Sequence, residues 1–452
     1  MNQQKYIWIF PSNLHRWLWK DLARSLEKSL HMKTLFIIGD KQDLHFWEKQ
    51  FDEPLEAEVA VHFDYLGYAL DCSKKNVSEN DVFQRAAAYE KKYGITLMRD
   101  MVLGCRHIGR TFILGGQGHP ASRVSKTISK LSAVKTCMAI TDDFEELAGK
   151  YPPGLMLVGG GGGGVYMKSA CIIARRDRIP FRSLVHARFS DYYLWADSEF
   201  EESLAFKNFH EKQPEPSASD INYVQRHVAP SGLSVVGFAQ MRNEIAWPAI
   251  IRRIVINYLR IFYGKIRGYR KSRVGPSPTD TAKMMIRQRL DQEKLKKLAT
   301  FKITDLPPTE KVVYFPFQTE PEHSLNVLSP EHSNQLATAV ELALSLPADS
   351  ILAVKEHPYQ IGRRTTGTYE TLAGLPNVAF MNTDEPSIEI IKRANLVAVI
   401  TSSAGYEAAV LGKPVIHFGQ HGQALCLPHV QSMTGFCNLD KISELLSSDS
   451  DT

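Results

Sequence analysis

Three short stretches in the second half of the chain gather the side chains best suited to an anionic, activated substrate. "FPFQTEPEHSL" (315–325) leaves a strand-like run and delivers Gln318, Glu320 and Glu322 in quick succession. Two carboxylates at a strand end can serve as acid, base or nucleophile, although a solvated acidic loop fits the same composition. "LAVKEHP" (352–358) ends a second strand-like run and sets Lys355 and His357 at its mouth, with Pro358 stopping the strand and fixing the turn. A lone His-Pro would be read as structural; beside Lys355 at a strand end it suits an anion.

In "ITSSAGYEAAVLGKPVIHFG" (400–419) a strand, Ser402 and Ser403, and then a helix opening at Ala404 present hydroxyls and free backbone N–H groups, which together suit a phosphate. Simple N-capping would need only one of the serines. Glu407 falls on the first turn of that helix. There it either accepts hydrogen bonds from ribose hydroxyls or merely complements the helix dipole.

In the first half, "LMLVGGGGGGVYMK" (155–168) puts six consecutive glycines, Gly159 to Gly164, between an apolar strand and an amphipathic segment. The run satisfies a dinucleotide fingerprint trivially and lacks the Gly-Lys-Ser/Thr ending of a Walker loop. A dinucleotide site would also want an acidic residue ending the next strand, and "RSLVHA" ends in His186 and Ala187. What remains is a strand-to-helix turn, with Gly160, Gly161 and Gly162 letting a sugar or a facing domain approach the backbone.

These stretches are positioned by alternating strand-like and helix-like runs, the pattern of parallel sheets covered by helices. Strands are predicted at 6–10, 33–39, 111–116, 155–160 and 182–187, and again at 311–317, 350–358, 377–382, 395–403 and 413–419. Helices are predicted at 13–31, 166–178, 333–346, 386–394 and 404–411. The polar stretch "KITDLPPTEK" separates the two sets. The inferred architecture is α/β, with two doubly wound, Rossmann-like domains facing each other across a cleft and ligands at the carboxyl ends of the strands. The expected domains are 1–240, a basic helical connecting segment 241–305, and 306–452.

Composition bounds the rest. With 452 residues, 44% hydrophobic and 23% charged, the chain has the makeup of a globular protein large enough for two cores. Its six cysteines are scattered without metal-like spacing, so reduced structural thiols are expected and no metal site is. It has neither a signal-like start nor a run of about 18 apolar residues, so a cytoplasmic location is expected. The net charge of +5 is uneven: residues 245–279 contain eight bases and no acid, which leaves −3 for the remainder. Apolar and aromatic residues interleave with those bases. The segment suits a helix on an anionic bilayer surface, or a solvated face of a helix packed on its own protein. No nucleic-acid-binding pattern accompanies the charge.

The three stretches of the second half, in this order and at this spacing, resemble the capsule polysaccharide biosynthesis proteins, among them the β-Kdo transferases of bacterial surface polysaccharide assembly. The resemblance covers roughly 310–420. It implies a GT-B-like glycosyltransferase with no bound cofactor and a nucleotide-sugar co-substrate, CMP-Kdo foremost. The enzyme would work at the inner membrane face on a lipid-linked glycan.

The family's Gln-x-x-x-Asp motif falls here on Gln318 and Glu322, so the catalytic carboxylate reaches one methylene further. The family's Lys and His-Pro motif falls on Lys355, His357 and Pro358 and implies contact with the donor phosphate; its Ser-Ser loop falls on Ser402 and Ser403. In the first half, the glycine-rich turn and the following "HARFSDYYLWADSEF" resemble single-module members and point to Arg188, Asp191 and Asp197 on the acceptor side, though a structural role, such as a salt bridge between Arg188 and Asp191, would explain them as well. The alternatives are a nucleotide-diphosphate sugar transferase, a CDP-glycerol-type phosphotransferase, and a non-catalytic export or assembly partner.

Overall fold

The computed structural model describes residues 4–12, 16–38, 78–105, 128–160, 164–187, 193–212, 246–266, 278–320, 322–361, 366–419, 424–433 and 439–447, together with residues 47, 108, 215, 217–219, 222 and 364. The chain forms two compact units, and the break between them falls at Leu204 and Ala205.

The first unit is built on β1 (Tyr6–Phe10), α1 (Arg16–Leu30), β2 (Lys33–Phe36), α2 (Glu79–Tyr93), α3 (Lys130–Lys150), β3 (Pro153–Val158), α4 (Val165–Arg176), β4 (Phe181–His186) and β5 (Tyr193–Ala196). Its strands lie in the order β2-β1-β3-β4-β5, parallel except that β5 runs antiparallel to β4. Period-two alternation dictates two cores. Trp8 and Phe10 pack with residues of α2, α3 and α4 on one face, while Ile7 and Ile9 pack with Trp19 and Ala23 of α1 on the other. Strands buried on both faces read as continuous apolar runs, which is why "YIWIF" and "LMLV" were legible. The strand expected at 111–116 lies outside the described residues.

The second unit begins within α5 (Leu204–Glu211) and continues through α6 (Trp247–Ile266) and α7 (Pro278–Leu298). There follow β6 (Lys311–Pro316), α8 (His323–Asn326), α9 (Gln335–Leu344), β7 (Ser350–Lys355), α10 (Thr366–Ala373), β8 (Val378–Phe380) and α11 (Ser387–Arg393). The unit closes with β9 (Leu396–Val399), α12 (Ala404–Val410), β10 (Val415–His417), β11 (Val430–Ser432) and α13 (Leu439–Ser447).

All the described strand pairs of this sheet are parallel, in the order β11-β10-β9-β6-β7-β8. Counted from its own first strand, that is the 3-2-1-4-5-6 order of a dinucleotide-binding sheet, with a topological switch point between β6 and β9. Val313 and Phe315 of β6 enter one core and Val312 and Tyr314 the opposite one. Leu295 and Ala299, at the end of α7, belong to the Val313 core, so the helix before the sheet is part of this unit's interior.

Candidate functional site

Gln318, Lys355 and Thr401 follow, or end, the three central strands β6, β7 and β9, and these placements bring the loops together at the carboxyl edge of the sheet. Gln318 is buried and spans the switch point. Its Nε2 donates to Thr401 Oγ1 (2.9 Å), and its Oε1 accepts the Thr401 backbone N–H (3.0 Å). Thr401 Oγ1 in turn donates to the carbonyl of Ser324 (3.2 Å). The side chain of Gln335, the first residue of α9, pairs with the Gln318 backbone in both directions, at 2.7 and 3.0 Å. Gln318 is therefore a brace between strands, with both ends of its amide occupied.

The acidic residues of this loop part company. Glu320 is buried, ion-paired to Arg364, and accepts from Gln335 Nε2 at 2.6 Å. Arg364 also donates through Nε to Glu356 Oε2 (2.8 Å) and through Nη2 to the Gln318 carbonyl (2.5 Å), and its guanidinium lies 4.7 Å from the Phe317 ring centroid. Glu356 is fully enclosed and accepts further from the Tyr369 hydroxyl (2.9 Å) and from the His357 backbone N–H (2.6 Å). Burial raises its pKa, and the Arg364 charge opposes that rise. Glu322, in contrast, is exposed at the start of α8, and Ser324 Oγ donates to it at 3.2 Å. Of the two carboxylates singled out in the sequence, Glu322 faces solvent while Glu320 is committed to an ion pair.

His357 Nδ1 lies 3.2 Å from Thr319 Oγ1, which ties the turn after β7 to the loop after β6. Pro358 opens the single turn that follows, closed by the Gln360 N–H on the His357 carbonyl (2.8 Å). Alternation along β7 sends Lys355 to the face opposite Glu356, where its Nζ donates to Ser387 Oγ (3.1 Å). The Tyr314 hydroxyl donates to the same oxygen at 3.3 Å. Burial pushes the Lys355 amine down to about 8, against the opposing charges of Glu385, Asp384 and Glu407. Burial likewise raises the Glu407 carboxyl, with Lys355 opposing. The buried Lys355 and the half-buried Glu407 thus form a neighbourhood of opposite charges on one face of the edge.

Ser402 Oγ accepts the Ala404 N–H at 3.3 Å, while Ser403, the residue at the cap of α12, makes no side-chain cap bond.

In the first unit the glycine run leaves β3 at the β1/β3 switch point. An added Cβ on Gly159 would lie 2.5 Å from the Ser12 nitrogen and 2.4 Å from Trp19 Cζ2, so the position admits no side chain as it stands. Gly160 and Gly164 have φ of +120° and +99°, a region that favours glycine. Gly161, Gly162, Arg188 and Asp191 lie outside the described residues. Asp197 is engaged: it pairs with Arg182 (3.0 Å) and accepts the Leu204 N–H at the start of α5 (2.7 Å).

Sequence reasoning missed Arg364, Glu356, Gln335, Thr401 and Ser387. Glu356 and Thr401 sit inside quoted motifs, and strand alternation alone would have separated Glu356 from Lys355. Arg364 and Gln335 carry no pattern; only the fold delivers them to Glu320. Among the described residues no group of three or more His, Cys, Asp or Glu is placed to hold a metal ion.

Two doubly wound α/β units, the second with its polar loops at the switch point of a nucleotide-binding strand order, define the class of this protein. More narrowly, residues 244–424 match the family described as capsule polysaccharide biosynthesis protein, and over that segment the chain is similar to it. Among solved structures, it is similar to Thermosulfurimonas dismutans KpsC, beta Kdo 2,7 transferase (15% identity, 68% of this chain and 80% of that one, TM-score 0.31). It is also similar to the beta Kdo 2,4 transferase of the same KpsC (14% identity, 59% and 70%, TM-score 0.27). A third similarity is to UDP-GlcNAc 2-epimerase from Neisseria meningitidis (13% identity, 98% and 90%, TM-score 0.26). No curated protein matches the chain.

Proposed function

We propose that this chain is a glycosyltransferase of bacterial surface polysaccharide assembly, taking a sugar from a nucleotide donor, CMP-Kdo first, and passing it to a capsular or lipopolysaccharide-type glycan on a lipid carrier. One observation carries the reading: the loop holding the exposed Glu322 is fastened to the loop after β9 through Gln318 and Thr401 and to the turn after β7 through Thr319 and His357. Such fastening presents one solvent-facing carboxylate at the place where open parallel sheets take ligands. The family match over 244–424 supports the same reading.

In this mechanism Lys355, His357 and the turn of Ser402 and Ser403 stabilise the phosphate as it leaves. Glu322 attacks the anomeric carbon, or takes the acceptor's proton if the configuration inverts. Gln318 and Glu320 position rather than react, and Glu407 stands beside Lys355 on the donor side. Residues 306–452, within the second unit, are the donor domain, and the first unit supplies the acceptor side through Gly160 to Gly162, Arg188 and Asp197. CMP carries a single phosphate, and these protein cations replace a divalent metal.

The test is mass spectrometry of products formed by the purified chain from CMP-Kdo, UDP-sugars and CDP-glycerol in parallel, with and without EDTA. A Kdo-extended product that survives EDTA is expected, and Glu322→Gln should lower its rate by about 10³-fold in a folded protein. A product from UDP-sugars or CDP-glycerol alone would reassign the donor, and full activity of Glu322→Gln would remove the catalytic role given to that residue.

A further inference from the structure

α6 carries an apolar face that is exposed to solvent among the described residues. Trp247, Ile251, Val255, Leu259, Phe262 and Ile266 recur at helical spacing over its 20 residues and are all exposed, Ile251 to 59%, Phe262 to 65% and Ile266 to 69%. At 100° per residue they share one side of the helix, and the exposed Tyr258 falls among them. Ile250, on the opposite side, is 2% exposed and faces the protein. A helix that buries one flank and leaves six large apolar side chains in water has a patch that needs a partner.

The charge decides which partner. Residues 245–279 contain eight bases and no acid, and the exposed Arg252 borders the stripe while the exposed Arg253 lies further round the helix. A second copy docked on the same face would set these bases against their equals, whereas an anionic bilayer neutralises them. Trp and Tyr on the stripe suit the headgroup level. No described helix is long and apolar enough to cross a membrane, so α6 would lie in the plane of the interface.

We propose that α6 is an in-plane membrane anchor that inserts the Trp247–Ile266 stripe into an anionic lipid surface. The proposal gives the lipid-linked acceptor of the proposed function a physical basis, but it stands on α6 alone and its test reads binding, not transfer.

The test is flotation of the full chain with vesicles of phosphatidylcholine alone or containing about one quarter phosphatidylglycerol. The chain is expected to float with the anionic vesicles and to be released progressively by salt. Binding to neutral vesicles should be roughly tenfold weaker. Ile251→Ser, Phe262→Ser and Ile266→Ser combined should lower anionic binding by roughly tenfold or more. Since all three side chains are exposed, the melting temperature should not move. Should the triple variant misfold, Arg252→Gln, at the border of the stripe, tests the same surface and should lower the salt dependence. Failure of the wild-type chain to float with anionic vesicles would overturn the proposal, as would full binding by a folded triple variant. So would a lipid-free wild-type dimer that the triple variant converts to monomer.

Discussion

The two sheets close their switch points by opposite means. Between β1 and β3 the first unit removes a side chain: Gly159 lets the Ser12 nitrogen and Trp19 press against its backbone. Between β6 and β9 the second unit adds one: the Gln318 amide reaches across to Thr401 with both its ends. A side chain that braces can also orient its neighbours. This is why the second edge holds a sorted set of acids, one exposed and two locked to Arg364, while the first edge offers backbone. The difference leaves charged side chains at the second edge and a closely approached backbone at the first.

The sharpest way to break that contrast is to remove the charge that sorts the acids. Arg364 stands between two buried carboxylates, so Arg364→Leu leaves Glu320 and Glu356 uncompensated and should cost about 3–5 kcal/mol. Arg182, the partner of Asp197 in the first unit, is 43% exposed, and Arg182→Leu should cost less than about 1 kcal/mol. Denaturant unfolding of both variants measures the gap. Equal midpoints would mean that the second edge is no more tightly held than a surface ion pair.

A smaller effect probes the first edge from its own side. Gly159→Ala places a methyl group within 2.5 Å of the Ser12 nitrogen, and backbone cannot step aside as a flexible side chain would. Overpacking of this kind costs about 1–3 kcal/mol, and a thermal melt would register it. An unchanged melting temperature would show that the glycine at this place is dispensable and that the close approach is not what holds the β1/β3 junction.

How far the sequence carried this picture depended on periodicity. Both sheets were readable because strands buried on two faces become unbroken apolar runs, as in "VVYFPF" and "ILAV", and helices such as α9 and α12 fell within their expected spans. The short strands β5 and β11 were not legible: "YLWA" is half-exposed and "VQS" is too brief and polar to stand out. At the site, composition offered Glu320 and Glu322 as equals. What distinguishes them is Arg364, 44 residues beyond Glu320, and no local pattern records that meeting. The motif "VKEHP" showed a cation near a histidine, but its alternation sends Lys355 to Ser387 and Glu356 to Arg364 on opposite faces.

That division sharpens the smallest effect, the pH dependence expected of the proposed donor binding. Burial holds the Lys355 amine at about 8, well below an ordinary lysine, because the charged form lacks solvent and the nearby acids offset only part of the loss. A phosphate seated against Lys355 would stabilise the ammonium, raise its pKa in the complex and draw in a proton at mildly alkaline pH. The sign follows: affinity for CMP should be greatest below pH 8 and fall as pH rises above it. The limiting slope is about tenfold, or about 1.4 kcal/mol, per pH unit. Isothermal titration with CMP from neutral to alkaline pH would trace this curve, and Lys355→Met should bind more weakly and nearly without slope. A flat profile in the wild-type chain would place Lys355 among the supports of Ser387 and Glu407 alone, making the second edge a scaffold held by its charges rather than one that uses them.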